Sequence, residues 1–197
     1  MFVFLYVIIQ LGDFMNSNGY VRVREYVDNL INDEETKLLI FDFSILWNVY
    51  ENDLYATEHS ISKISRVLGN IKLSEDNKWE IDNLYYQLIR FLNFKDCLLS
   101  NNEINYEEFK HYFNFRIKKK DIDGNVVGAG EISEIQLRKV INSKNSVGKL
   151  YLLLIVVSRV RNNMFHGLKD VSELKYNKEL FLLCNKVLFL ILDIKNS

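Results

Sequence analysis

The chain has 197 residues, of which 48% are hydrophobic and 26% charged, with a formal net charge of -1. That is long enough for one domain with a real core and too apolar for a disordered chain. Its two cysteines, Cys97 and Cys184, exclude a disulfide scaffold and a cysteine-built zinc site.

There is no proline. Proline breaks helices and punctuates loops, so its absence points to long helices joined by turns rich in Asn, Ser and Gly. The expected fold class is all-α, and composition by itself fits a cytoplasmic protein.

Residues 1–11 are apolar except for Gln10. The run is shorter than the roughly 20 residues of a membrane-spanning helix, and it lacks the basic start and small-residue cleavage site of a secretory signal. It reads as a buried segment that packs on the bundle or at a subunit contact, or as an extension ahead of a start at Met15. Residues 1–35 are therefore expected as an N-terminal extension on the bundle and 36–197 as the helical domain, with no stable membrane insertion.

A first helix is predicted over 36–56, where Leu39, Phe43, Leu46, Trp47, Tyr50 and Leu54 recur at helical spacing. A second follows over 79–99, with Ile81, Leu84, Tyr85, Leu88, Phe91 and Leu92 on its apolar face. Residues 105–118 begin as a helix, but Phe113, Phe115 and Ile117 alternate like a strand. Residues 121–131 (DIDGNVVGAGE) read as a glycine-containing turn or hairpin. The start resembles a calcium loop, but Val126 and Ile132 stand where Gly and Glu are required. GAGEIS lacks the third glycine of a dinucleotide fingerprint and its βαβ setting. Neither metal nor cofactor is expected.

A long helix over 145–166 is predicted next, capped by Asn145 or Ser146 and stopped by Gly167. Its middle, LYLLLIVV, is continuously apolar and fits the central helix of a bundle, with a buried strand as the alternative. A last helix over 172–194 carries Leu180, Phe181, Cys184, Val187, Leu188 and Ile191. Together these strips give a four-helix core with additional elements.

The chemistry is concentrated where the apolar run gives way to SRVRNNMFHGLK. Asn162 and His166 are four apart and share a face, and the long Arg161 side chain reaches the same point. Histidine exchanges protons near neutral pH, and arginine offers a permanent planar charge for phosphate. That combination suits phosphodiester cleavage without a metal. The same residues at a helix C-terminus also serve simply to complement its dipole. Between Gln136 and Lys178 there are nine basic and two acidic residues, a local charge of +7 that favours a polyanion. Arg159, Lys169, Arg138 and Lys139 are the candidate RNA-binding residues in that stretch. Arg116 to Lys120 (RIKKK) fits either an RNA-backbone contact or a solvated basic turn. Glu51 is a candidate to orient the site, though it also fits an ordinary helix-surface carboxylate. His59 and His111 read as surface or packing residues.

At Arg161-Asn162-x-x-x-His166 the sequence resembles the R-x4-H signature of HEPN-domain ribonucleases, and RVRNNMFHG is similar to the form found in toxin–antitoxin and abortive-infection systems. The resemblance is sharp over about 151–169 and diffuse elsewhere. It implies a HEPN-like four-helix up-and-down bundle. It also implies a homodimer whose two motifs form one composite cleft. Such a cleft would cut single-stranded RNA without metal, leaving 2′,3′-cyclic phosphate and 5′-hydroxyl ends. Arg161 and His166 would be the catalytic pair, with Asn162 at the adjoining polar position. A cognate antitoxin is a possible partner. The alternative is a non-catalytic dimer that binds RNA or protein, and a third reading is a structural bundle whose polar cluster caps a helix.

Overall fold

The computed structural model describes residues 31, 33–55, 61–120, 126–127, 130–165 and 177–197. These form α1 (Glu34–Tyr55), α2 (Ile61–Gly69), α3 (Glu75–Phe94), α4 (Tyr106–Tyr112), β1 (Lys119–Lys120), β2 (Val126–Val127), α5 (Glu134–Ile141), α6 (Ser146–Phe165) and α7 (Lys178–Asn196). The fold is an all-helical bundle. The apolar residues at 1–11, and with them the expected extension up to residue 30, lie outside the described residues.

Local chemistry sets the helix starts. Asp33 accepts from the Glu35 and Thr36 backbone N–H groups and opens α1. Ser74 and Asn77 form a reciprocal capping box on α3. Asn145, rather than Ser146, caps α6: its Oδ1 accepts from Gly148 N at 2.8 Å.

The run Leu152 to Val157 on α6 is almost completely buried, as the sequence pattern required of a central helix. α2, α3, α5 and α7 all pack against α6, while α7 also lies against α1 and α3. The short α2 and α5, which the longer periodic strips did not reveal, bury Ile61, Ile64, Leu68, Leu137, Val140 and Ile141.

Cross-helix contacts fix the directions. Lys178 meets Glu35, Asn185 donates to Leu39 O, and Lys195 donates to Asp53 O, so α1 and α7 run parallel. Lys149 pairs with Asp82 near the starts of α6 and α3, and Asn163 and Phe91 both meet the end of α4, so α3 and α6 are parallel too. Trp47 lies beside Arg161 whereas Asn163 and Met164 lie near Leu180 and Phe181, which sets the two pairs antiparallel. The four long helices thus run up, down, down, up. The connection from Lys95 to Asn145 is long enough to return the chain to the starting end before α6 begins. It holds α4, the hairpin and α5.

Lys119 pairs with Val127 and Lys120 with Val126, the two-stranded pairing that the hairpin reading of 121–131 called for. At its base Gly130 is required: a Cβ there would stand 2.4 Å from Lys118 Cα, which is backbone and has no room to yield. The helix expected to begin near 105, whose end the alternation of Phe113, Phe115 and Ile117 left open, stops at Tyr112, and Asn114 beyond it takes a left-handed conformation, φ 53°.

Candidate functional site

The C-terminal two turns of α6 carry two arginines with different roles. Arg159 is expected from the sequence to touch RNA. Instead its side chain is completely buried. Its Nε donates to Phe113 O at 3.0 Å, and its Nη2 donates to Asn163 Oδ1 at 3.0 Å. The remaining donors engage Asn114 O and the Glu131 carboxylate. Asn163 Nδ2 donates to Phe113 O at 3.1 Å. Arg159 and Asn163 therefore satisfy carbonyls left open where α4 ends, and Glu131 supplies the counter-charge that a buried guanidinium needs. This arginine ties α4, the hairpin and α6 together, and its complete burial keeps it from a ligand at the surface.

Arg161 is half-buried one turn from the end of α6. Its Nη1 donates to Asn162 Oδ1 at 3.1 Å, and its guanidinium carbon lies 5.5 Å from the centre of the Trp47 ring. Trp47 Nε1 in turn donates to Glu51 Oε2 at 3.2 Å. Glu51 thus fixes the indole on which Arg161 rests, an indirect form of the orienting role considered for it. Stacking on an aromatic face holds a guanidinium in place. The last carbonyls of α6 are at the same end and favour cations there. His166 follows Phe165 directly in the chain, and it lies outside the described residues together with Gly167, Lys169 and His59.

Arg138 and Lys139 are exposed on α5, which meets the first half of α6 through a Gln136–Tyr151 hydrogen bond of 2.7 Å. Arg138 is held by Glu134 at 2.8 Å and stacks 3.7 Å above the Tyr106 ring. Tyr151 and Arg161 are ten residues apart, about 15 Å along the helix, so neither Arg138 nor Lys139 joins Arg161. His111 is exposed on α4, as expected for a surface histidine. A hollow of about 20 Å³, enough for roughly one water, lies beside Asn163 and Asn177 and is lined mainly by apolar side chains.

Four of the nine basic residues of the +7 stretch are paired with carboxylates in three dimensions. Arg138 pairs with Glu134, Lys149 with Asp82, Arg159 with Glu131, and Lys178 with Asp33 and Glu35. All of these carboxylates lie outside the counted segment, so the linear tally overstated the field. Among the described residues no three His, Cys, Asp or Glu side chains converge as a metal site, and no helix is long and apolar enough to cross a membrane.

No protein-family model, curated protein or solved structure matches this chain. The functional reading therefore rests on its own residues.

Sequence reasoning missed Trp47 as a site residue, because an aromatic at helical spacing reads as core. It also missed Glu131 and Asn163, whose roles depend on a buried arginine that composition assigns to the surface.

Proposed function

We propose that the protein is a metal-independent endoribonuclease of the HEPN type, with Arg161 and His166 as its catalytic pair and Asn162 beside them. The observation that carries this reading is the division of labour on α6. Arg159 is completely buried against the end of α4, whereas Arg161 turns to the other side of the helix, half-buried over Trp47, next to Asn162 and within five residues of His166. In this account His166 transfers a proton during attack of the 2′-hydroxyl or departure of the 5′-oxygen, and Arg161 stabilises charge on the phosphorane. Two copies facing across a two-fold axis would complete the cleft, and a cognate antitoxin would restrain it.

The test is single-stranded RNA incubated with the protein in EDTA, followed by analysis of the product ends. Cyclic phosphate and 5′-hydroxyl termini are expected from wild type and none from His166→Ala. Products that need a divalent cation, or carry 5′-phosphates, would exclude the mechanism.

A further inference from the structure

One surface of the bundle is apolar where a helical protein is normally polar. On α1 the residues Leu38, Phe41, Ile45 and Val49, and on α7 Leu182 and Phe189, are between 41% and 67% exposed. The parallel register of the two helices, set by the Asn185–Leu39 and Lys195–Asp53 contacts, brings Leu182 level with Leu38 and Phe189 level with Ile45. The six side chains form one continuous strip of about 600 Å², at the upper end of what a monomer ordinarily exposes. With its polar rim the strip approaches the roughly 800 Å² per partner of a standard interface.

Charge identifies what covers it. The two helices carry both signs, and most of these charges are matched within the chain: Lys37 pairs with Glu34, Lys178 with Glu35 and Lys195 with Asp53. Glu51 is turned to Trp47, and Glu179 and Asp193 stand at the two ends of the strip. Asp42 and Lys186 are different. They lie level with each other in the middle of the strip, and neither has an oppositely charged partner among the described residues; Lys186 donates only to the neutral Gln87.

Such a strip can meet its own copy about a two-fold axis in two ways. With the axis across the helices, α1 lies antiparallel on α1 of the second copy, so Asp42 meets Asp42 and Lys186 meets Lys186. With the axis along the helices, α1 lies parallel on α7 of the second copy, and each Asp42 meets a Lys186. Leu38 then faces Leu182 on one side of that ion pair and Ile45 faces Phe189 on the other, every contact being made twice. We propose that the strip binds a second copy of the chain in this parallel arrangement, where apolar surface and charge are both complementary. Trp47, the residue beside Arg161, is two residues from Ile45 and about 200° around α1, so the contact leaves Arg161 uncovered. It is separate from the two-fold pairing that would complete the ribonuclease cleft, and it is independent of that reading.

The test is a charge reversal in the full chain, read by sedimentation equilibrium. Asp42→Lys and Lys186→Asp, both at exposed positions, should each weaken self-association at least tenfold with an unchanged circular dichroism spectrum. Mixing the two variants should restore it, because each Lys then meets an Asp across the contact. A second mixture, of Ile45→Cys protein with Phe189→Cys protein, is expected to give on mild oxidation a disulfide dimer joining position 45 to position 189, which neither protein gives alone. A mass indifferent to both charge reversals, no gain on mixing, or cross-links only between like positions would overturn the proposal. Protection of Phe41 and Phe189 from hydroxyl-radical oxidation, in a protein whose mass the substitutions leave unchanged, would assign the strip to another occupant and overturn it equally.

Discussion

Arg159 and Arg161 stand two residues apart on one helix and occupy opposite environments: Arg159 is sealed among four acceptors, while Arg161 lies half-exposed over an indole. The difference follows from the helix rotation of about 200° between them. One points at the end of α4, the other at α1.

Arg159→Ala is expected to destabilise the protein by about 3–5 kcal/mol, because it removes the buried donor to Glu131, Asn114 O and Asn163 Oδ1. Arg159→Lys should recover only part of this, since an ammonium has no planar fork to span four acceptors. Urea unfolding followed by circular dichroism measures both. Arg161→Ala should cost about 1 kcal/mol, the scale of one cation–π contact made by a half-buried arginine.

Gly130→Ala is expected to cost about 1–3 kcal/mol through overpacking, since its Cβ would meet the Lys118 backbone. The neighbouring Glu131 would be displaced from Arg159, so the substitution and Arg159→Ala should be less than additive. A double-mutant cycle in urea gives the coupling.

Stability should fall on the alkaline side. Burial, aided by Tyr151, pushes the Tyr55 hydroxyl up to about 12, against the opposing effect of its hydrogen bond with Tyr50. Burial also raises Tyr50, whose hydroxyl lies 2.8 Å from that of Tyr55. Unfolded tyrosine ionises near 10, so the folded state holds its protons longer. The stabilisation is complete below about pH 10 and is lost as pH rises through 12. Urea midpoints at pH 9 and pH 11 should therefore differ, and Tyr50→Phe/Tyr55→Phe should shrink the difference.

Cys97 and Cys184 are both buried, and burial pushes the Cys184 thiol far above its usual range. Neither should react with a water-soluble disulfide reagent in the native protein, and both should react in urea. Rapid native labelling of Cys184 would contradict the packing of α7.

The main helices were legible because their apolar periodicity is long: α1, α3, α6 and α7 each fall within a few residues of the expected spans over the part described. The capping of α6 by Asn145 was legible for the same reason, since a good cap precedes an unbroken apolar run. Helix direction was not, because no local pattern encodes which of two long helices returns alongside the other. Phe41 and Ile45 of α1, which lie off the apolar face read from the spacing, are exposed in the fold. Local charge misled in the same way, since Glu131 and Asp82 neutralise basic residues far away in sequence. The spacing of Arg161 to His166 is read from the sequence alone, whereas the Trp47 ring beside Arg161 required the fold.

Cleavage of single-stranded RNA in EDTA by Arg161→Ala tests the central claim most directly. The account predicts at least a hundredfold loss of rate relative to wild type, in a protein whose urea midpoint is nearly unchanged. Wild-type cleavage by a folded Arg161→Ala protein would contradict it.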